Sequence, residues 1–590
     1  MSVEQTSMNQ LITDNIDIWT STVKTKSASG RGSSKKCELY GVKKLRELIL
    51  ELAVRGKLVP QDPMDEPASV LLERIAEEKA QLVKDKKIKK PKNLPEISDD
   101  EKVVKLPQGW IQARFGECFL ISSGNSFKKD EELTEGEFIY CKVGDMNLAG
   151  NESSITTSSS FIAPTDKQLK SLILSGSIIF PKRGGAIATN KKRFVRTPIF
   201  SDSNVMAVKP FYGVSLEFSM LWLNSIDLAA LNTGTSVPQI NNKDIEPLVF
   251  HFPPENEQHR IVAKVDELMT LCDQLEQQTE ASIAAHQVLV TTLLDTLTNS
   301  ADADELMQNW ARISEHFDTL FTTEASIDQL KQTILQLAVM GKLVPQDPND
   351  EPAAKLLERI AEEKAQLIKE KKIKKQKALP PIADDEKPFE LPNGWEWTII
   401  DNSFYVSGGI QKTPKRTPVK HHFPYLAVAN VQRGHLELDE LKRFEVTTEE
   451  LEKYKLKAGD LMVVEGNGSE NEIGRCAIWT EEISECLHQN HLIRCRPFIP
   501  ELSGWVLNSL NSPLGIAIMK SLAVTSSGLY NLSVGKIRGV LVPLPPLKEQ
   551  ARIVEKVGTL LELCEQLKTR LKASQATQLH LTDAIVEQVV

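Results

Sequence analysis

The chain has 590 residues, of which 41% are hydrophobic and 26% are charged. That length allows about three or four domains with ordinary hydrophobic cores, and the composition argues against a disordered chain. No apolar run approaches the ~18 residues of a membrane-spanning helix, and the polar start MSVEQTSMNQ lacks the layout of a signal peptide, so we expect a cytoplasmic protein. The formal net charge of −9 argues against a chain that coats nucleic acid along its whole length, but it allows local basic patches.

Eight cysteines are scattered along the sequence, without a C-x-x-C pair or a nearby His-x-x-x-His pattern. This spacing predicts neither a zinc site nor a disulfide framework. We expect reduced core residues at Cys37, Cys118, Cys141, Cys272, Cys476, Cys486, Cys495 and Cys564.

The sequence contains an internal duplication. The stretch from 45 to 90 recurs from 330 to 375, and 36 of these 46 positions are identical. The two copies then diverge as inserts of different sequence, and they converge again afterwards. The matched segments that border the inserts are LPQGW (106–110) with LPNGW (391–395), and the stretches that begin PPENEQHRIV (253–262) and PPLKEQARIV (545–554).

Each copy of the repeat begins with two predicted helices. Apolar residues at helical spacing over 42–55 and 327–340 lead to Gly56 and Gly341, a residue type that suits the left-handed turn closing a helix. Pro67 and Pro352 suit the first turn of a second helix. We expect these second helices to run to about residue 90 in the first copy and about residue 375 in the second.

A third helix is predicted after each insert, and its apolar stripe has the 4-3-4-3 spacing of a coiled-coil seam. Two such helices can pack against each other, and a helix of ~40 residues spans ~60 Å. The residues of the two stripes are Ile261, Val265, Leu268, Cys272 and Leu275, and then Ile553, Val557, Leu560, Cys564 and Leu567.

The inserts contain short β-type runs such as FIYCKV and DLMVV, separated by Gly, Asn, Ser and Pro turns, and apolar helical stretches such as FSMLWLNSI. Mixed α/β domains are the predicted result. We expect the following organisation: a flexible N-terminal extension at 1–41, a helical region at 42–106, a first insert at 107–254, a central helical region at 255–391, a second insert at 392–546 and a C-terminal helix at 547–590.

The sequence lacks the usual constellations of an enzyme. GRGSSKK at 30–36 has the composition of a phosphate-binding loop but not its spacing, and neither a dinucleotide G-x-G-x-x-G pattern nor the [DNS]-P-P-[FYW] signature of amino-methyltransferases occurs. DDEK at 99–102 recurs at 384–387, so we interpret it as a solvated hinge rather than a nuclease motif. The adjacent His421 and His422 point opposite ways on an extended segment, which argues against a metal site.

Each insert contains a cluster of cations without acidic residues. Six cations and no acid occur between Lys182 and Arg196, and no Asp or Glu occurs between Asn402 and Leu436. Long cationic side chains on Gly-containing loops suit phosphate contacts, and polar neighbours suit base edges, although a charge run is also typical of a solvated face. The predicted contact residues are Lys182, Arg183, Thr189, Asn190, Lys191, Lys192, Arg193, Arg196, Lys412, Thr413, Lys415, Arg416, Lys420, Asn430 and Arg433.

Two other basic runs lie in the frame, at 84–92 and 369–377. They follow acidic helices, where cations favour the helix dipole, so solvation or helix capping is the preferred interpretation.

Two readings from different classes fit these patterns. A non-catalytic DNA-binding subunit explains both the repeat and the basic clusters, whereas a scaffold that recruits two copies of a protein partner explains only the repeat. An enzyme fused to recognition domains is disfavoured, because all of the sequence is accounted for without a catalytic domain.

The whole pattern from about residue 42 resembles the specificity subunits of type I restriction-modification enzymes. The resemblance rests on the GKLVPQDPxDEPA module, on LPxGW opening each insert, on CKVGDM (141–146) and AVANV (427–431), and on LILSGSIIF or LKAGDLMVV followed by PPxxEQxRIVxKV. The large duplicated block before each insert is most similar to the Type IB subfamily.

The resemblance implies two α/β target-recognition domains in tandem, separated by long helices that form an antiparallel coiled coil with an internal pseudo-two-fold repeat. Each domain would read one half of a bipartite, asymmetric DNA target. The helices would set the spacer and dock two methyltransferase subunits, and restriction subunits would join through them. S-adenosylmethionine, ATP and Mg are expected on those partners, with no cofactor or metal bound by this chain.

By position in the family's domain, the loops after the strands at 177–180 and 460–464 are expected at the DNA, together with the turns 123–129 and 407–416. The second loop is acidic at Glu465, Glu470 and Glu472, and an acid can accept a hydrogen bond from a cytosine amino group or turn away from DNA. These positions add Lys128, Lys129, Asn467, Ser469 and Asn471 to the predicted DNA contacts.

Overall fold

The computed structural model describes residues 8–26, 36–91, 93–102, 106–232, 237–301, 303–467, 472–526 and 529–589. The chain divides into two compact units. Unit 1 takes the described residues of Met1–Lys24, Glu38–Thr279 and Thr577–Val590, and unit 2 takes those of Thr25–Cys37 and Glu280–Ala576.

The N-terminal segment is folded where the structure describes it. It forms α1 (Met8–Asp14), α2 (Ile16–Ser21) and the paired strands β1 (Lys24–Lys26) and β2 (Lys36–Glu38). Met8, Ile12 and Trp19 are buried in the core of unit 1. The prediction of a flexible extension over 1–41 is therefore wrong for these helices, because their apolar side chains at helical spacing find a core to enter.

The first frame helices are α3 (Tyr40–Val54) and α4 (Ala68–Lys84). Gly56 follows α3 in the left-handed region with φ of 68°, as the sequence predicts. Helix α4 ends earlier than predicted, because Lys86 also turns to a positive φ of 57° and Pro91 follows. Of the basic run at 84–92, Lys84 lies in the last turn of α4, and the residues that the structure describes from 85 to 91 lie beyond the helix.

The first insert is a mixed α/β domain. Its sheets have the strand orders β4-β10-β7-β8, β6-β5-β9 and β11-β3, and β5 runs parallel to β9. Its elements are β3 (Ile111–Arg114), α5 (Phe115–Cys118), β4 (Phe119–Ser123), β5 (Phe138–Cys141), β6 (Phe161–Ile162), β7 (Ser177–Pro181), β8 (Arg193–Val195), β9 (Phe200–Ser201), β10 (Val205–Pro210), α6 (Leu216–Ser225), α7 (Asn242–Ile245) and β11 (Val249–Phe252).

A long helix, α8 (Glu255–Asn299), begins directly after the first insert and passes from unit 1 into unit 2. The second copy of the frame follows it. Its helices are α9 (Ala303–Glu315), α10 (Phe317–Leu320), α11 (Glu324–Val339) and α12 (Ala353–Lys369). Helix α12 ends at Lys369 rather than near 375, and Lys371 has a φ of 58°, so the second frame repeats the early helix end of the first.

The second insert has the same arrangement of strands as the first. Its orders are β13-β20-β16-β18, β15-β14-β19 and β12-β23, with β14 parallel to β19, and an added sheet β17-β22-β21. The elements are β12 (Glu396–Ile399), α13 (Ile400–Ser403), β13 (Phe404–Gly408), β14 (His422–Leu426), β15 (Lys442–Glu445), α14 (Thr448–Tyr454), β16 (Leu461–Val464), β17 (Gly466–Asn467), β18 (Cys476–Ile478), β19 (Leu487–His488), β20 (Leu492–Pro497), α15 (Leu502–Asn511), α16 (Pro513–Leu522), β21 (Val524–Ser526), β22 (Leu529–Asn531), α17 (Val534–Arg538) and β23 (Leu541–Leu544).

The chain ends in a second long helix, α18 (Leu547–Val589). Both predicted apolar stripes are buried or half-buried, and each lies in the core of its own unit. The α8 stripe shares its core with α3 and with the far end of α18, through Ile585, Val586 and Val589. The α18 stripe shares its core with α11 and with Val290 and Leu294 of α8. Each unit thus contains part of both long helices.

A repeated set of contacts closes each insert onto its frame, and we call each set a joint. In both, the amide of the first residue of the second frame helix donates to the glycine carbonyl of LPxGW: Ala68 to Gly109 at 2.9 Å and Ala353 to Gly394 at 2.8 Å.

Each joint also contains an ion pair between the DPxDE turn and the start of the long helix. Arg260 lies 2.6 Å from the buried carboxylate of Asp65, and Arg552 lies 2.7 Å from that of Asp350. The hydrogen bond from Arg260 lowers the pKa of Asp65 below its usual value.

The glutamate and glutamine of PPxxEQxR complete the joint. In the second copy, Trp395 Nε1 donates to Glu549 Oε2 at 3.1 Å, and Gln550 Nε2 donates to the Pro545 carbonyl at 2.8 Å. In the first copy, Gln61 Nε2 donates to Glu257 Oε1 at 3.2 Å. Burial raises the pKa of both glutamates.

The seven cysteines whose side chains the structure describes are buried free thiols, as expected for core residues. Among the described helices, none is long and apolar enough to cross a membrane.

Two glycine substitutions should change stability in opposite directions. Gly341 has a φ of 70°, and an added Cβ would lie 2.6 Å from Pro392 Cγ, so Gly341→Ala should lower the free energy of unfolding by about 1–2 kcal/mol. Gly558 lies inside α18 with nothing within 4 Å of an added Cβ, so Gly558→Ala should raise it by about 0.5–1 kcal/mol. Denaturant unfolding measures both, and equal shifts for the two variants would contradict the assigned backbone conformations.

Candidate nucleic-acid interface

One edge of the main sheet in the first insert gathers several loops. Strand β4 ends at Ser123 opposite Met206, and β7 ends at Pro181 opposite Val205, so the ends of two strands and the start of β10 meet there. The turn 123–129, the loop 182–190, the turn 202–204 and the segment 237–241 leave this edge. We call this set the first loop edge.

Backbone hydrogen bonds around Lys182 hold the first loop edge together. The Lys182 amide donates to the Asn204 carbonyl at 2.8 Å, and the Ile240 amide donates to the Lys182 carbonyl at 2.9 Å. The Lys182 ammonium donates to Ser123 Oγ at 2.8 Å. The loop after β7 is thereby fixed to the turn after β4, and its side chains have a defined backbone behind them.

Several predicted contact residues are available at this edge. Lys128, Lys129, Arg183 and Thr189 are exposed, and Lys182 is half-buried with a pKa that burial lowers. Their long side chains leave backbone loops at one sheet edge, which is the arrangement that phosphate contacts require.

Lys192 and Asn190 have structural roles instead. Lys192 is only 5% exposed, and its ammonium donates to Asn190 Oδ1 at 2.9 Å and to the Ile226 carbonyl at 3.1 Å. Burial lowers the pKa of Lys192 to about 8. Asn190 closes the loop in the left-handed region with φ of 51° and accepts from the Leu228 amide at 3.0 Å. The prediction of direct DNA contact is wrong for Lys192, because its charge is used inside the domain.

The last cations of the first cluster also have partners within the domain. Arg193 donates to the carbonyls of Asn151 and Met146, and Lys191 donates to Asn147 Oδ1. Arg196 pairs with Glu217 at 3.1 Å and lies over the Phe194 ring, 4.5 Å from its centroid. These side chains hold the segment 146–151 and the start of α6, so the six predicted cations do not form one outward patch.

The second insert has a corresponding loop edge. Strand β13 ends at Gly408 opposite Ile493, and β16 ends at Val464 opposite Leu492. The turn 409–421, the described residues of the loop after Val464, the turn 489–491 and the β21–β22 hairpin meet there. We call this set the second loop edge.

Glu465 occupies the position of Lys182 in the second loop edge. Its amide donates to the His491 carbonyl at 3.0 Å, and its carbonyl accepts from the Leu532 amide at 2.7 Å, which repeats the backbone bonds of Lys182. Its carboxylate lies 3.4 Å from His491 Nδ1. The same backbone site therefore carries a cation in one insert and an acid in the other.

The predicted residues of the second cluster divide in the same way as the first. Lys412, Lys415 and Lys420 are exposed and Thr413 is half-buried. Asn430 is 8% exposed, accepts from the Ala427 amide at 2.8 Å and donates to the Glu437 carbonyl at 2.9 Å, so its predicted role at base edges is wrong.

Two arginines of this cluster are also used internally. Arg416 pairs with Glu450 at 2.8 Å, and half-buried Arg433 donates to the Ile473 carbonyl at 3.3 Å. The backbone of Asn467 pairs with Tyr530, whereas its side chain, Ser469 and Asn471 lie outside the described residues.

The fold adds polar residues that the sequence search missed. Ser203 shares a hydrogen bond of 2.8 Å with Ser126 across the first loop edge. The backbone of Gln239 forms an isolated antiparallel β-bridge with the backbone of Arg183. His491 is exposed at the second loop edge. None of them stands in a charge cluster, and only the strand register brings them to these edges.

The histidines at 421 and 422 contact protein groups. His421 Nδ1 lies 2.5 Å from the Val446 carbonyl, and His422 Nδ1 accepts from Arg443 Nε at 2.6 Å. Within the described ranges, no group of three or more His, Cys, Asp or Glu side chains is placed to hold a metal ion.

Comparison with known proteins places this chain beside DNA specificity subunits. The Type I restriction modification DNA specificity domain matches residues 107–285. The type I restriction enzyme EcoAI specificity subunit of Escherichia coli is 41% identical over 623 aligned positions, which cover 99% of this chain and 100% of that protein. The EcoEI specificity subunit of Escherichia coli is 40% identical, with 98% and 99% covered. The crystal structure of the HsdS subunit from Thermoanaerobacter tengcongensis is 18% identical and overlaps 82% of this chain and 97% of its own, with a TM-score of 0.41.

Arg416 and Glu450 should behave as a structural pair. Two hydrogen bonds from Arg416 and one from the Thr447 amide lower the pKa of Glu450 to about 2. Because the folded pKa lies below the unfolded value of about 4.3, the stability that the pair contributes is complete above that value and is lost as the pH falls towards 2. Arg416→Gln and Glu450→Gln should each lower the free energy of unfolding by about 1 kcal/mol at neutral pH, and the double variant by less than the sum.

Denaturant unfolding of the four proteins as a function of pH measures this coupling. Lys415→Gln, at the exposed neighbouring position, is the control and should leave stability unchanged. Additive losses that persist at low pH would contradict the pair and return Arg416 to the candidate DNA contacts.

Proposed function

Because this chain belongs to the specificity subunits of type I restriction enzymes, we propose that its two inserts each read one half of a bipartite, asymmetric DNA target. The observation that carries the proposal is the pair of loop edges. Both are built by the same strand order and by the same backbone bonds around Lys182 and Glu465, yet they carry different side chains. A repeated backbone with different side chains is what two unlike half-sites require.

The chemistry of the two loop edges supports recognition of two different base sequences. Exposed lysines at both edges, together with Arg183 at the first, suit phosphates, which position a protein on DNA without reading sequence. Lys182 can donate to the O6 and N7 acceptors of guanine, whereas Glu465 can accept from the amino group of cytosine. A single equivalent position thereby supports opposite base preferences in the two halves.

The long helices are proposed to set the spacing of the half-sites and to dock two methyltransferase subunits, which in turn bring restriction subunits. Ile283, Val288 and Leu289 support a protein-binding role for α8, because they are exposed while the other large apolar side chains of the helix are buried or half-buried. S-adenosylmethionine, ATP and Mg belong to those partners in this proposal, and recognition belongs to this chain.

The experiment that tests the function is sequencing of methylated adenines in cells that contain the partner methyltransferase, with and without this gene. Methylation should occupy one bipartite motif only when the gene is present. Replacing residues 107–254 by the aligned insert of the EcoAI relative should change one half of the motif and leave the other half and the spacer unchanged. Methylation that does not depend on the gene would contradict the proposal, and partner capture without DNA retention would favour a scaffold.

Removing two exposed cations of the first loop edge should weaken DNA binding and flatten its salt dependence. The variant Lys128→Gln with Arg183→Gln removes two side chains that reach solvent, so the slope of log K against log [salt] should become less steep by nearly 2, at about 0.9 per phosphate contact. Fluorescence anisotropy with a mixed-sequence duplex measures the slope. The control is Lys355→Gln with Lys457→Gln, two exposed lysines away from either loop edge, and equal slopes for all three proteins would remove the first loop edge from the interface.

A further inference from the structure

Unit 1 contains a basic cleft that no predicted contact residue lines. It lies between the segment 87–94 after α4 and the sheet of the first insert, and it has a volume of roughly 860 Å³. Seven lysines line it, against a single acidic residue, Glu246. We call it the lysine cleft.

Five of these lysines have no internal partner. Within the part of the chain that the structure describes, no hydrogen bond or ion pair involves the ammonium groups of Lys89, Lys90, Lys170, Lys209 and Lys243. They come from four separate segments of the sequence, so a single solvated charge run does not explain their convergence. Like charges that converge without counterions repel one another, and a bound polyanion relieves that repulsion.

The second insert contains the corresponding site with the charge of its cation neutralised. By strand register, Arg496 of β20 occupies the position of Lys209, and Asp460 occupies the position of Ser177. Arg496 donates to the buried Asp460 carboxylate at 2.6 and 2.7 Å. Ser177, in contrast, donates to the Leu174 carbonyl and gives Lys209 no carboxylate.

A second substitution also separates the two copies. Gly116 stands where the second copy has Asp401, because the preceding residues form matched backbone bonds: the Phe115 amide donates to the Leu248 carbonyl at 2.7 Å, and the Ile400 amide donates to the Val540 carbonyl at 3.0 Å. Asp401 pairs with Lys364 at 3.1 Å and with Arg538 at 2.6 Å. In the first copy Lys79, the counterpart of Lys364, donates to the Gly116 carbonyl at 2.9 Å, and Glu246 stands at the position of Arg538. The carboxylate that the first copy lacks is therefore the one beside Lys209.

The position of the cleft points to DNA as the occupant. Strand β4 lines the cleft with Phe119–Ser122, and its last residue, Ser123, belongs to the first loop edge. A strand of this length spans about 17 Å, which corresponds to about five base pairs of duplex. The cleft is thus continuous with the proposed interface, and its flexible lysines supply point charges without the directional donors that a specific peptide would need.

We propose that the lysine cleft binds the phosphate backbone of duplex DNA outside the half-site that the first loop edge reads. This inference rests on the proposed function and adds a sequence-independent contact to it. At this site the second insert pairs Arg496 with Asp460, where the first insert has Lys209 and Ser177.

The variant Lys89→Gln, Lys170→Gln, Lys243→Gln tests the cleft in the full-length chain. Anisotropy with a long mixed-sequence duplex between about 50 and 200 mM salt should give a slope less steep by nearly 3, and the effect should be the same on duplexes of different sequence. The matched control removes three exposed lysines of unit 2, Lys355→Gln, Lys457→Gln, Lys556→Gln, and should keep the wild-type slope. Equal melting temperatures show that both variants are folded.

A second variant supplies the acid that the other copy has. Ser177→Asp places a carboxylate beside Lys209, so it should reduce the slope by about 1 without removing any lysine. Wild-type DNA binding with an unchanged slope in both cleft variants overturns this inference alone, whereas a wild-type chain without DNA binding overturns the proposed function. Loss of methyltransferase capture with an unchanged slope assigns the cleft to an acidic protein surface and also overturns the inference.

Discussion

The structure depends on the joint at which each insert leaves its frame and returns to it. A buried aspartate of the DPxDE turn binds an arginine in the first turns of the long helix, at 2.6 Å in one copy and 2.7 Å in the other. Removing one partner of such a pair leaves a buried charge uncompensated, so the two residues constrain each other. The neighbouring glutamate, whose pKa burial raises, binds Trp395 in the second copy and Gln61 in the first. The entrance and the exit of each insert are therefore fixed to one point.

A fixed entrance and exit allow the rest of the insert to vary. The joints and the strand order are the same in both copies, while the loop edges differ at the equivalent positions of Lys182 and Glu465. In both residues the backbone is held by two hydrogen bonds. Exchanging a cation for an acid there therefore changes the chemistry of the edge without changing its backbone geometry. Recognition can diverge in this fold because stability resides elsewhere, in the cores that contain α3 with α8 and α11 with α18.

The sequence predicts the frame better than the direction of side chains in the loops. Apolar periodicity and the punctuating glycines locate α3 and α11, and Gly56 and Gly341 have the left-handed conformation that their positions require. Periodicity does not show where α4 ends, because Lys86 adopts the left-handed conformation that glycine usually adopts at the end of a helix. Composition also misses the N-terminal helices, since the Ser/Gly/Lys stretch after them dominates the segment.

The sequence shows where cations occur but not whether their side chains point outward or inward. For this reason only some residues of the basic clusters reach the loop edges. Lys182 and Lys192 are ten positions apart in one run, yet the first reaches an edge of the sheet and the second is buried against Asn190 and Ile226. Which of them turns inward depends on carbonyls from distant segments, and no local pattern contains that information. The lysine cleft could not be predicted for the same reason, because its five unpaired lysines come from four segments, each of which alone has the composition of an ordinary solvated face.

Duplication makes the departure from symmetry informative. The two inserts share one strand order, so a difference in charge at equivalent strand positions reflects a difference in what each insert binds or needs. Asp460 neutralises Arg496 in the second copy, whereas Ser177 gives Lys209 no carboxylate in the first. An acid at position 177 would lie beside Lys209, as Asp460 lies beside Arg496. The convergence of unpaired lysines in a chain with a net charge of −9 is therefore the feature that calls for an external anion at the lysine cleft.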